Sequence, residues 1–194
     1  MTSTTSDTKN VFSQIDRQIS LQIALLFAPL AYCLHQIEES TGAFRVWRQR
    51  HFHSNSSLPD LYVFVALTAI SLFLIILFSI RKNKSSALSV ILFFMTTQLQ
   101  NILYHIGTSI YFEDFSPGTI TALVLYVPVN FYIITKAFKE GWLTKSMFLF
   151  FFVLSGIMYW VFELLGPAYI AVFLGIGLVY SFALKIVPIF KKKN

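Results

Sequence analysis

Two histidines and three glutamates stand where an apolar chain has little use for them. His35 and Glu38 are three residues apart and His35 and Glu39 four, separations that place side chains on one face of a helix. Asn101 and His105 repeat the four-residue spacing further along, and Glu163 closes a later apolar run. All lie in or at the end of segments long enough to cross a bilayer. An ionisable group there costs roughly 2.5–3.5 kcal/mol on insertion scales and marks a functional site by default. A helix-borne imidazole and carboxylate, joined by a second histidine and another acid, make an adequate ligand set for zinc or iron. The expected metal ligands are therefore His35, Glu39, His105 and Glu163. Glu38, Glu39 and Asn101 are the expected catalytic residues: one glutamate binds the metal and the other acts as general base. Asn101 hydrogen-bonds substrate or a ligand. A divalent ion with an open position activates water near neutral pH, so the chemistry expected is a metal-dependent hydrolysis.

The same residues admit other chemistry. His35 with Glu38 or Glu39 can form a buried ion pair that ties helices together. A layer of His and Glu can bind a proton or cation for a coupled carrier. Carboxylates facing a pocket can stabilise a carbocation or ammonium with His as acid–base partner, and a non-catalytic lipid- or sterol-binding protein needs no turnover at all.

The elements that must position these residues are helices. The chain has 194 residues, is 56% hydrophobic and only 12% charged, about half the charge of a typical soluble domain. The expected fold is an all-α, polytopic transmembrane bundle forming a single domain over 17–190. Spans of ~20 apolar residues are read at about 17–40, 58–80, 87–112, 119–138, 146–165 and 168–190. An interfacial segment covers 42–57, a polar tail 1–16 and a basic tail 191–194. His51 and His53, in the interfacial segment, are expected to face solvent or headgroups. The net charge of +6 comes from basic residues flanking apolar runs, which favours a membrane over a nucleic-acid partner. The expected partner is a membrane lipid or apolar small molecule. Cys33 is the single cysteine, which excludes an internal disulfide and a cysteine-rich zinc framework. Residues 1–10 lack the charged start and short apolar core of a cleaved signal peptide, so the first apolar segment is expected to remain as a helix.

Six spans with both termini cytoplasmic place twelve of the fifteen basic residues inside, leaving Arg45, Arg48 and Arg50 outside. The expected location is the bacterial cytoplasmic membrane. The first, third and fifth spans then run outward together. Their ionisable residues, His35 to Glu39, His105 and Glu163, fall at one depth near the outer leaflet.

His35-Gln36-Ile37-Glu38-Glu39 resembles the signature of the HXXEE-motif membrane proteins. The resemblance continues through Asn101-x-x-x-His105 and through Tyr111 to Pro128 with its Ser116-Pro117-Gly118 turn. It implies an integral membrane protein with enzymatic activity carried by His35, Glu38, Glu39, Asn101 and His105, and leaves Glu163 outside the matched motifs. The bundle is also loosely similar to small membrane sterol isomerases, which place His, Glu and Asn in a bundle of about this size.

Overall fold

The computed structural model describes residues 20–53 and 58–166. Among the described residues all regular structure is helical, in six helices: α1 (Leu21–Thr41), α2 (Phe44–Phe52), α3 (Asp60–Arg81), α4 (Lys84–Tyr111), α5 (Thr119–Lys139) and α6 (Lys145–Leu165). All but α2 are long and apolar enough to cross a membrane. The boundaries lie within a few residues of those read from the sequence. The expected sixth span, 168–190, and the tails 1–16 and 191–194 lie outside the described residues.

Local sequence explains where the helices start and break. Asn83 caps α4 by accepting from the Ser86 amide at 2.9 Å, and Thr144 caps α6 by accepting from Met147 at 3.3 Å. Pro29 has no amide hydrogen for the carbonyl four residues earlier, and α1 is irregular at that point, Leu25–Leu26. α5 has no cap of its own; its first free amides are met by Glu38 of α1, as described below.

The apolar core is built in two tiers. Leu21, Leu25, Phe78, Ile91, Phe94 and Ile133 pack one end of the bundle, and Ala31, Tyr32, Ile102, Ala122 and Tyr126 pack nearer the site. α4 is the most buried span and α6 the least. The dense polarity of α4 is therefore inside protein rather than in lipid. Gln98 donates to the Ala28 carbonyl at 2.8 Å and accepts from Asn130 at 3.0 Å, tying α1, α4 and α5. Gln100 donates to Ser155 Oγ and to the Phe152 carbonyl, tying α4 to α6. Two π-helical turns, Met95–Leu99 in α4 and Ala122–Tyr126 in α5, carry Gln98 and the Tyr126 carbonyl, which accepts from Asn130 at 2.9 Å. Such turns widen a helix by one residue and recur at functional sites.

α2 is fastened to three neighbours by its arginines. Arg45 meets Asp60 at the start of α3 (2.8 Å), Arg48 meets Glu163 near the end of α6 (2.7 Å), and Arg50 meets Asp114 in the α4–α5 turn (3.4 Å). The acids and bases of these elements thus share one layer. His51, expected to face solvent or headgroups, is only 15% exposed and lies 2.7 Å from Asp114, stacked on Phe112. Phe112 and Trp47 flank that ring and cover it.

This clasp makes stability depend on pH. The hydrogen bond from His51, aided by Arg50, holds the Asp114 carboxyl below the usual carboxylate range. A depressed folded-state value stabilises the fold above the unfolded value, and the contribution disappears as pH falls through the folded one. Asp114→Asn is expected to lower the thermal transition at neutral pH and to match the parent in acid below the carboxylate range. A difference that does not vary with pH would remove the clasp.

Candidate functional site

α1 and α4 cross so that His35, Glu39 and His105 face one another. His35 Nε2 lies 3.3 Å and His105 Nε2 3.2 Å from the same atom, Glu39 Oε1, and the three ligand-type atoms all fall within 4.8 Å of one another. His35 is 1% exposed and His105 fully buried. Despite the short distances, neither Nε2 has a hydrogen-bond partner. Both imidazoles nevertheless stand at ion-pair distance from the one carboxylate oxygen, so the three groups share a single point of approach. A tetrahedral site with metal–ligand distances near 2.0–2.1 Å has edges of about 3.3–3.4 Å, which the two measured separations match. Two imidazole nitrogens and a carboxylate oxygen suit zinc or iron, and three protein ligands leave a position open. The residues present therefore fit a divalent ion.

The remote nitrogens are anchored. His35 Nδ1 is 2.8 Å from Thr121 Oγ1, which donates its single proton to Glu38 Oε2 at 2.5 Å. Having spent that proton, the hydroxyl accepts from His35, so Nδ1 carries hydrogen and Nε2 is the nitrogen turned to the centre. Glu38 also accepts from the Thr121 amide at 2.7 Å and the Ile120 amide at 3.2 Å. A carboxylate from α1 thus caps the N-terminus of α5, where the helix dipole favours negative charge. His105 Nδ1 lies 2.9 Å from Ser116 Oγ, and Ser116 is held by Ser109 and Thr119. Outer partners of this kind govern ligand orientation, and their loss typically costs 10–100-fold in metal affinity. Thr121→Val is expected to weaken zinc binding by that factor, with Thr121→Ser close to the parent. Titration against a competing chelator would show it, and an unchanged affinity would strip Thr121 of the role.

The α4–α5 turn closes over the rings. Gly118 adopts φ +104°, and a Cβ there would lie 2.6 Å from His105 Cε1, 2.8 Å from His105 Nε2 and 2.8 Å from His35 Cε1. Tyr126 tilts over His35 with ring centroids 4.6 Å apart, and Phe44 and Tyr104 lie 5.4 Å from His105. The two imidazoles are therefore boxed by aromatic rings and one backbone turn, which leave them buried. Thr121, Tyr126, Phe44 and Tyr104 were not among the expected site residues, and Ser116 and Gly118 were read only as a turn. A threonine or a phenylalanine in an apolar chain carries no signal of its own. Only the Ser-Pro-Gly turn, a short walk along the chain from His105, points toward this part of the site.

The remaining expected residues go elsewhere. Glu38 faces Thr121 and the start of α5 rather than the three donors. Glu163, expected as a fourth ligand, is not among the clustered donors; its carboxylate pairs with Arg48 at 2.7 Å. Asn101 has a buried Oδ1 without a partner and lines a cavity of about 500 Å3. Glu39, Gln36, Arg48 and Glu163 line the same space. Glu39 is the member of the donor cluster that opens into it, and Gln36 holds its other oxygen by a hydrogen bond.

Fold and site together define a class: an all-helical protein with membrane-length apolar helices and a buried His–Glu–His centre between two of them. The chain belongs to the HXXEE family. The family described as "Protein of unknown function with HXXEE motif" matches residues 26–133, more than half of the chain. No curated protein and no solved structure matches it. The matched region holds all three converging donors with Glu38, Asn101, Ser116, Gly118 and Thr121, and it excludes Glu163.

Proposed function

We propose that this protein is a metal-dependent hydrolase of the bacterial cytoplasmic membrane acting on a lipid or other apolar small molecule. One observation carries the proposal: the Nε2 atoms of His35 and His105 and Oε1 of Glu39 converge in a buried space without hydrogen bonds to either nitrogen. Donors gathered so closely are balanced by a positive charge, which a proton shared with Glu39 or a metal ion would supply. A divalent ion held there supplies Lewis acidity, polarising a carbonyl and acidifying water. The chain's own residues do the rest. Thr121 and Glu38 hold His35, and Ser116 holds His105. Asn101 and the Arg48–Glu163 pair, in the cavity wall, receive the polar end of the substrate. The proton of the attacking water passes to the leaving group through a general base on the cavity wall. Water adds to an ester or amide carbonyl, the C–O or C–N bond breaks, and an acid leaves with an alcohol or amine. Six spans with both termini cytoplasmic would turn the centre toward the outer leaflet.

Metal analysis of the purified protein tests this. About one zinc or iron per chain is expected, with a lower thermal transition after chelation, because binding energy is folding energy in such sites. Protein that takes up no zinc, iron or manganese would sink the metal chemistry.

A second reading has its own support. The hydrogen bonds His35–Thr121–Glu38 lead from the centre to a part-exposed carboxylate, the kind of chain that carries protons in coupled carriers. A carrier predicts solute flux in proteoliposomes driven by a pH gradient and no product. Hydrolysis without flux decides against it.

A further inference from the structure

The cavity wall is rich in acceptors and poor in free donors. On α4, Thr96 donates its hydroxyl proton to the Leu92 carbonyl and Thr97 to the Phe93 carbonyl, both at 2.9 Å. Ser89, nearer the start of α4, donates to the Ser85 carbonyl at 3.0 Å. All three line the cavity, and a hydroxyl has a single proton to give. They therefore offer a ligand only lone pairs. Asn101 follows the same rule. Glu163 pairs with Arg48 at 2.7 Å and accepts from the Tyr159 hydroxyl. With its proton so used, Tyr159 accepts from the Asn101 amide group. Asn101 Oδ1 is left buried and without a partner. Gln36 in turn donates to Glu39. The charged lining residues are the carboxylates of Glu39, Asp60 and Glu163 and the guanidinium of Arg48, which Glu163 already holds. Asp60 is met from outside the lining by Arg45.

From this wall we infer that the ligand carries a protonated amine on an apolar body. An ammonium brings donors and no acceptor, which complements the lone pairs of Thr96, Thr97, Asn101 and Glu163. A phosphate or carboxylate brings acceptors and would face acceptors. An alcohol has a single proton and adds lone pairs of its own. Glu163, only 12% exposed, gives the ammonium a charged partner, and such charge-assisted bonds are the strong ones. Phe44, Phe93 and Phe162 share the lining, and aromatic faces attract positive charge. Leu67, Ile70 and Leu92 cover the apolar body. The inference deepens the reading above by naming the substrate class: an ester or amide that also bears an amine. It rests on that reading for the cavity's being the substrate's place, and not for the metal or the hydrolysis.

Dodecylamine carrying a diazirine on its chain tests this on the full-length protein in phosphatidylcholine nanodiscs at neutral pH. Saturable labelling is expected at Leu67, Ile70, Leu92 and Phe93. Unlabelled dodecylamine should compete about tenfold or more better than dodecanol or dodecanoate, the margin of a bond to a charged group. Glu163→Gln should weaken labelling by about the same factor. Because that change also frees Arg48, a second variant, Thr96→Val with Thr97→Val, is measured beside it. It keeps shape and helix and removes two acceptors. It should weaken dodecylamine several-fold and change dodecanol less. His35→Ala should label as the parent does, so failure of the metal chemistry is distinguishable from failure of amine binding. Equal competition by dodecanol or dodecanoate would overturn the inference. So would parental dodecylamine affinity in the threonine variant, labelling confined to the outward residues Leu61, Val65 and Ile76, or no saturable labelling.

Discussion

Glu39→Gln is expected to abolish stoichiometric metal binding, lowering zinc affinity by more than about 100-fold, which is the upper end of the cost of losing an outer hydrogen-bond partner. Glu39 Oε1 lies within 3.3 Å of both imidazole nitrogens. The amide keeps the shape and the contact with Gln36 but removes the negative charge that compensates the ion. Glu38→Gln makes the informative contrast. Its carboxylate touches Thr121 and two amides of α5 rather than the centre, so it should weaken affinity only through the orientation of His35, by about 10–100-fold. It should also lower thermal stability, because α5 loses a charged cap. The two adjacent glutamates are therefore expected to separate, Glu39 in metal content and Glu38 in stability with a smaller affinity change. Equal losses in both variants, or a parent protein that binds no metal, would show that the three donors serve another purpose.

Gly118→Ala is expected to be strongly damaging. The backbone there is left-handed, which costs a non-glycine residue roughly 1–2 kcal/mol. The added methyl would press on both imidazoles at 2.6–2.8 Å, and overpacking of this kind adds about 1–3 kcal/mol. Together they predict a loss of about 2–5 kcal/mol of stability and displacement of the two rings from each other. Metal binding should fall with it. Gly107→Ala is the control: that glycine lies in the helical part of α4 with no atom within 4 Å of the position a Cβ would take. Alanine there should be neutral or stabilising by up to about 1 kcal/mol. Thermal unfolding and metal titration of the pair would decide it. A well-folded Gly118→Ala protein with parental zinc affinity would mean that the turn does not close on the centre as drawn.

Much of this protein was legible in its residues because a membrane enforces simple rules. Apolar runs of the right length become helices, since no other open structure satisfies backbone polar groups in lipid. Lys and Arg flank those runs, and turn residues such as Pro117 and Gly118 separate them. The spacing of His35, Glu38 and Glu39 on one face, and of Asn101 and His105 on another, follows from the helical repeat alone. The meeting of His35, Glu39 and His105 was therefore expected from the common depth of their spans, and the structure brings those three together.

What each carboxylate does was decided only in three dimensions. Glu38 and Glu39 are neighbours in sequence, and helical periodicity turns them about 100° apart, so one faces the centre and the other the start of α5. No local pattern says which. Glu163 was expected among the ligands because it shares their depth, yet depth does not give azimuth. Arg48, brought in by the short helix α2, takes it instead. Gly118, Thr121, Tyr126 and Phe44 became site residues for the same reason: their types are ordinary in an apolar chain, and only the packing of α1, α2, α4 and α5 puts them around two imidazoles. Length, periodicity and polarity along one strand of sequence determine which helices exist and how deep their polar groups lie. The rotation and pairing of those helices depend on contacts between residues far apart in the chain, and these assign the chemistry.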